Sequence, residues 1–311
     1  MDRIIIDGHS HIGDDYHHGN SKIEEYMEFC NSIGVNYGLV MPVPCPKKVN
    51  SNEPCLLWHY DNGFIIEADK NPYREINYEL KNIVEKNDNR GMQLFYVPLI
   101  HPKLDDINYI DNLIRETDPV ALKFHGMWGG FGAKDFSNEL LDYLEYKCLP
   151  LIIHTHWDSS SKKERPIRPH EDAVKQNTGI AYVNTFKDRK IPVTINHGAR
   201  LNKEALAIIN DCDYMKVALG PDYVLQNAPF WVDEDKEILA KKGYLTILKE
   251  CLKHNKIIFD IDYDYNAKYP NRDLDKESVE RVERVFFDNI DNIMFNNLLE
   301  QYPKVKKKVR R

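Results

Sequence analysis

Short apolar or β-branched runs recur along the chain and alternate with longer stretches of helical periodicity. Eight such runs read as strands: 3–7 (RIIID), 37–41 (YGLVM), 93–98 (QLFYVP), 121–124 (ALKF), 151–154 (LIIH), 193–196 (VTIN), 215–219 (MKVAL) and 257–260 (IIFD). Between and after them, a 3.6-residue period predicts helices near 22–33, 73–86, 107–116, 138–146, 181–188, 203–210, 233–254 and 276–287. Strands that alternate with helices build a parallel sheet. Eight strands, each followed by a helix, is the count of an α/β (β/α)8 TIM barrel. A doubly wound open sheet would show the same alternation, but its Gly-x-Gly-x-x-Gly phosphate turn is missing. The first turn reads Gly8-His9-Ser10-His11-Ile12-Gly13.

The eight units occupy residues 1–311 as a single domain, without an internal repeat or a low-complexity linker. Two connections are long, 42–72 and 157–179, the second carrying Lys162, Lys163, Arg165, Arg168 and His170. Insertions after barrel strands are where such folds keep specificity. The C-terminal tail, 304–311, reads KVKKKVRR and is expected to be a solvated end.

Composition changes the picture in three places. With 42% hydrophobic and 29% charged residues the chain lies far from disordered sequences. The net charge is −7 although six of the 42 basic residues crowd into the tail, so the body is acidic and offers no nucleic-acid surface. The opening MDRIIIDG has too few apolar residues for a signal peptide or a membrane span, which predicts a soluble, cytoplasmic protein with no membrane partner. Six cysteines at irregular spacings, with no Cys-x-x-Cys pair, exclude a disulfide framework and a zinc knuckle.

The 12 histidines carry the chemistry. Strand residues two apart share a face, so His9 and His11 aim two imidazoles at one point. Strand four ends Lys123-Phe124-His125, strand five His154-Thr155-His156, strand six Asn196-His197-Gly198, and strand eight Asp260-Ile261-Asp262. Four strand ends with His and a fifth with Asp converge where barrel enzymes place their active sites. Buried imidazoles and carboxylates in such a cluster must be paired or metal-bound to offset desolvation. Arg200, three residues after His197, is a candidate for a substrate carboxylate, with a surface salt bridge as its alternative. His17 and His18 read as exposed loop residues, and the apolar segment 220–231 as a lid or an oligomer contact.

In these ordered strand-end motifs the chain resembles the amidohydrolase superfamily of metal-dependent barrel enzymes. The narrower resemblance is to its amidohydrolase-related branch, which includes aminocarboxymuconate-semialdehyde decarboxylase-like enzymes. The family pattern is His-x-His after strand one, His after strands five and six, and Asp after strand eight; His9, His11, His154, His197 and Asp262 stand at those places. Asp260-Ile261-Asp262-Tyr263-Asp264 departs from the usual Gly-Ser-Asp-Tyr-Pro, which leaves Asp260 and Asp264 as rivals of Asp262.

The resemblance implies one Zn2+ held by His9, His11, His154 and Asp262. Asp262 would carry the proton, and His197 would orient water or stabilise an oxyanion. It places Lys123 and His125 in the substrate cavity, the alternative being a carboxylated Lys123 that bridges a second ion. His156, which follows the strand-five ligand, is either a substrate or supporting contact or itself a ligand. The expected activity is hydrolysis of a C-N or C-O bond in a small polar molecule. Non-oxidative decarboxylation at the same metal is the alternative, and a catalytically degenerate binding barrel is the reading from another class. A deoxyribonuclease-like phosphoesterase would need a bridging Glu that the third strand end, Val97-Pro98-Leu99-Ile100-His101, lacks. The partner is a small-molecule substrate, with a homo-oligomer as the base-rate expectation.

Overall fold

A computed structural model describes residues 3–17, 19–87, 91–156, 171–220, 242–263 and 272–309. His18, the basic run from Lys162 to His170, residues 221–231 of the apolar segment, and Asp264 lie outside the described residues.

Eleven strands are described: β1 (Ile6–Asp15), β2 (Gly19–Ser21), β3 (Tyr37–Pro42), β4 (Leu57–Tyr60), β5 (Phe64–Glu67), β6 (Gln93–Tyr96), β7 (Leu122–Phe124), β8 (Leu151–Ile153), β9 (Val193–Ile195), β10 (Met215–Ala218) and β11 (Ile257–Ile258). All but β2, β4 and β5 correspond to the eight runs read from the sequence. The three additional strands belong to the first loop and to a hairpin, Leu57 to Glu67, inside the long 42–72 connection. Helix ends fall within a few residues of expectation where a polar side chain caps them. Asp106 accepts from the Tyr109 N–H, Ser137 from Leu140 and Asn202 from Ala205.

The eight main strands pair in parallel and in chain order, as a (β/α)8 barrel requires, but the ladder is not closed. One sheet runs β2-β1-β3-β6 and the other β7 through β11. Two seams separate them, each crossed by backbone hydrogen bonds. Lys123 N–H donates to Pro98 (2.8 Å), Ile100 N–H to Lys123 (2.9 Å) and Val120 N–H to Tyr96 (3.1 Å); Gly8 N–H donates to Phe259 (3.0 Å) and Asp262 N–H to His9 (2.8 Å).

The strand period of two divides the core. Val40, Leu94, Tyr96, Leu122, Phe124, Leu151, Ile153, Val193, Ile195 and Val217 face the helices in one large apolar cluster. Leu39, Met41, Phe95, Val97, Ile152 and Ile258 fill the barrel interior. Leu298, Tyr302 and Val305, from the helices Asn297–Gln301 and Pro303–Lys308, join that inner cluster. Tyr302 also donates its hydroxyl proton to Thr194 Oγ1 at 2.7 Å. The part of the basic tail that is described is therefore anchored through Val305, with Lys306, Lys307 and Lys308 exposed. Its apolar positions lie among lysines, two of which, Lys304 and Lys308, hold Asp118 at 2.6 and 2.8 Å. Among the described residues no helix is long and apolar enough to cross a membrane.

Two stability predictions follow from close packing and buried polar groups. A Cβ at Gly8 would lie 2.9 Å from both Ile258 Cγ2 and the Phe259 carbonyl oxygen. Gly8→Ala is expected to lower stability by about 1–3 kcal/mol in a denaturant titration. His101 is fully buried; one ring nitrogen faces the Gly129 carbonyl (2.8 Å) and the other accepts from Lys103 and Leu104 N–H (3.2 Å each). Burial pushes its pKa down to about 4 from 6.5, so between those values the unfolded chain binds a proton that the folded chain refuses. Stability contributed by this site is lost as pH falls through that window. Thermal melts of His101→Gln should show a shallower fall over it than wild type.

Candidate metal centre

The first strand has to face two ways. Ile6 belongs to the apolar interior, yet an uninterrupted strand with Ile6 inside would turn His9 and His11 outward. The β1–β3 register resolves the conflict. Asp7 stands opposite Gly38 but Ser10 opposite Val40, so one extra residue is inserted between Asp7 and Ser10. This bulge reverses the parity and brings His11 opposite the inward-facing Met41.

The site lies at the C-terminal ends of the strands, above the apolar interior. Lys123, within β7, lies two residues after inner Ala121, His154 two after inner Ile152, and Asp260 and Asp262 two and four after inner Ile258. His9, His11 and Asp262 offer ligand atoms that all lie within 4.8 Å of one another. Asp262 Oδ1 is 3.6 Å from His9 Nδ1 and 3.9 Å from His11 Nε2, and Oδ2 is 3.7 Å from His197 Nδ1. His11 Nδ1 lies 2.7 Å from the Pro42 carbonyl oxygen, which can only accept, so Nδ1 carries a proton and Nε2 is the nitrogen that faces the carboxylate.

The fourth residue expected to bind metal, His154, is not in that trio. Its Nδ1 is 3.0 Å from His197 Nε2, and its ring stacks on His125 with centroids 3.8 Å apart. Lys123 is fully buried with Nζ 2.8 Å from His9 Nε2. His125 is buried, its ring 6.2 Å from that of His11. Arg200 donates from Nε to the Thr155 carbonyl at 3.0 Å, and its charge acts on Asp262, His154 and His197. His156 sits at the edge: its backbone N–H donates to the Asn177 carbonyl (2.7 Å) and its strand bridges to Thr178.

Burial sets the protonation states. His9, His125, His154 and His197 are held well below 6.5, first by desolvation and then by neighbouring cationic groups, so all four imidazoles are neutral at pH 7. Asp262 is raised by desolvation, against the pull of Lys123 and Arg200. Lys123 is lowered by desolvation, against Asp262 and Asp260.

Two features were not singled out in the sequence. Asp7 accepts four hydrogen bonds: Oδ1 from the backbone N–H of His9 (3.1 Å) and Ile261 (2.8 Å), Oδ2 from the hydroxyls of Ser10 and Tyr26 (2.6 Å each). Ser10 Oγ in turn accepts from Tyr263 N–H (3.2 Å). A charged residue directly after three isoleucines was the available signal. The second is backbone strain. His197, Gly198, Ala199, Arg200 and Leu201 all have φ between 49° and 58°, and Asp262 has φ 54°. Left-handed conformations of non-glycine residues are disfavoured by roughly 1–2 kcal/mol each. The run carries His197 at one end and turns Arg200 back beneath Thr155. Gly198 is required within it, since a Cβ there would collide with the Tyr244 hydroxyl.

No protein-family model and no curated protein matches the chain. Solved structures do. A probable 2-pyrone-4,6-dicarboxylic acid hydrolase from Acinetobacter baumannii, with citric acid bound, aligns over 97% of this chain and 100% of its own, with TM-score 0.60 and 13% identity. A protein described as amidohydrolase II aligns over 96% and 99%, with TM-score 0.61 and 11% identity. An amidohydrolase from Burkholderia multivorans with bound zinc aligns over 96% and 99%, with TM-score 0.60 and 9% identity. At these identities the likeness is one of fold, and it spans nearly the whole of each chain: this protein is a (β/α)8 barrel of the architecture found in the amidohydrolases.

Proposed function

We propose that the chain is a metal-dependent hydrolase that cleaves a C-N or C-O bond of a small polar substrate, with zinc as its ion. The observation that carries this reading is the convergence of His9, His11 and Asp262 within 4.8 Å, all buried. Two imidazoles and a carboxylate are a donor set suited to Zn2+. The fit is supported by a stand-in: the Lys123 Nζ lies 2.8 Å from His9 Nε2 and is drawn electrostatically to Asp262 and Asp260, so the pocket already accommodates a cationic group among these donors. The zinc-bound amidohydrolase of the same fold is consistent with it.

His9, His11 and Asp262 would hold the ion, with His154 as the fourth donor through Nε2 while its Nδ1 is engaged by His197. A divalent ion there supplies a Lewis acid and a water of lowered pKa. Asp262 does the proton transfer: burial raises its basicity, so its carboxylate takes a proton from water and returns it to the leaving nitrogen or oxygen. His197, neutral and 3.7 Å from Asp262 Oδ2, orients the water or donates to the developing oxyanion. Lys123 and His125 line the cavity. Arg200 offers a cation for a substrate carboxylate, and His156 a polar contact at the rim.

The reading is tested with purified protein, elemental analysis and panels of amides, lactones and aromatic carboxylic acids, each with and without chelator. Metal-dependent turnover of an amide or lactone is the expected result; turnover confined to carboxylic acids with CO2 release would replace hydrolysis by decarboxylation. Absence of both metal and turnover would leave a binding barrel. His11→Ala is expected to lose the metal. Asp262→Asn should retain much of it while the rate falls by about 10²–10⁴; full activity in that variant would rule Asp262 out as the proton carrier.

A further inference from the structure

Asp260 and Asp262 are two residues apart and both buried, and both approach His9 Nδ1, Asp260 through Oδ2 at 3.4 Å and Asp262 through Oδ1 at 3.6 Å. Asp262 looks toward His9, His11 and His197. Asp260 has one oxygen, Oδ1, on the backbone N–H of Gly220. Its other oxygen, Oδ2, is buried without a hydrogen-bond partner, and 3.4 Å away lies His9 Nδ1, a buried nitrogen equally without one. Two unsatisfied polar atoms that face each other in a dry interior are satisfied together if one carries a proton. The other side of the ring says which one. His9 Nε2 is 2.8 Å from Lys123 Nζ, and an ammonium has donors only, so Nε2 holds the lone pair. A neutral imidazole then carries its single proton on Nδ1, toward Asp260.

We propose that Asp260 is a positioning residue that holds His9 in the Nδ1–H tautomer and so presents Nε2 as the metal-binding nitrogen. The proposal rests on the reading of His9 as a metal donor. It gives the two carboxylates separate tasks: Asp262 meets the ion and the proton, whereas Asp260 acts only through His9. A carboxylate behind a ligating histidine fixes the ring orientation and raises its basicity.

Substituting Asp260→Asn makes a discriminating variant, because the Gly220 N–H retains the amide oxygen and leaves the NH2 group facing Nδ1. In 15N NMR of the metal-free protein, wild-type His9 should show a protonated Nδ1 and a lone-pair Nε2. In Asp260→Asn the NH2 group opposes the Nδ1 proton, whose signal should shift upfield for want of an acceptor, and Zn2+ affinity measured by chelator competition should fall 10- to 100-fold, the range for loss of such a partner. Asp262→Asn should leave the His9 tautomer unchanged. A wild-type His9 with its lone pair on Nδ1, or an Asp260→Asn protein with unchanged Nδ1 proton signal and zinc affinity, would overturn the proposal while leaving the metal reading intact. A wild type that takes up no zinc overturns both. If Asp260→Asn does not fold, as judged by its thermal melt, the wild-type tautomer alone decides.

Discussion

The arrangement depends on one buried carboxylate at a seam. Between β11 and β1 the ladder is interrupted, and the two chain segments that carry His9, His11, Asp260 and Asp262 meet there. Asp7 holds them together by accepting from His9 and Ile261 N–H on one oxygen and from Ser10 and Tyr26 on the other. Burial pushes its pKa up to about 6 even against those four donors, so the group is still an anion at pH 7. The bond from Asp262 N–H to the His9 carbonyl closes the same junction from above. A bulge that re-aims two histidines breaks ladder hydrogen bonds, and Asp7 takes up the backbone N–H groups so released.

Given that junction, the electrostatics of the site follow from its position above an apolar plug. Ile152, Ile258 and Met41 lie beneath His154, Asp260 and His11, and Tyr302 and Val305 complete the inner cluster from the C-terminal helices. The floor is dry, so desolvation is the first cause of every large shift among the clustered groups: imidazoles fall, carboxylates rise and Lys123 falls. Each shift moves the group toward its neutral form. Neutral imidazoles keep a lone pair for a cation, and a carboxylate of raised basicity keeps a proton long enough to hand it on. Val305 of the basic tail, with Leu298 and Tyr302 just before it, thus belongs to the apolar cluster beneath the site.

Much of this was legible because it is periodic. Eight apolar runs gave eight strands in order, and the strand ends from Lys123 to Asp262 could be placed at one end of a barrel from their spacing alone. What could not be read depends on contacts between distant segments. The bulge is a case in point: RIIIDGHSH reads as a strand ending at Asp7, whereas β1 runs on to Asp15 because β2 and β3 pair with its continuation. Three of the four residues expected to bind metal converge, while His154 is paired with His197, a partner 43 residues away that no spacing rule identifies. The tail was misread for a related reason, since Tyr302 and Val305 are too few for a visible apolar stripe yet enter the inner core.

Strain is distributed in a way that matches this division. Within the eight main strands, among the described residues, the one residue of positive φ is Gly13 near the end of β1, whereas His197, Ala199, Arg200, Leu201 and Asp262 are all left-handed. Five such residues would be a sizeable burden if spread at random through a domain of ordinary stability. Among the described residues these five occupy the turn after β9 and the residue that faces three of the histidines, while the other left-handed non-glycine residues, Asn50, Asn62, Asn71, Asp118 and Cys148, lie in turns and at helix ends. Regular helical backbone after Asn196 would carry His197 and Arg200 away along the next helix; the left-handed turn keeps His197 against His154 and ties Arg200 back to Thr155. The hydrogen bonds that hold this turn come from the neighbouring strand end, so the strained segment and the β8 end form one unit. A change in either is transmitted to the other, and the pair sets where a cation and a neutral imidazole stand relative to Asp262.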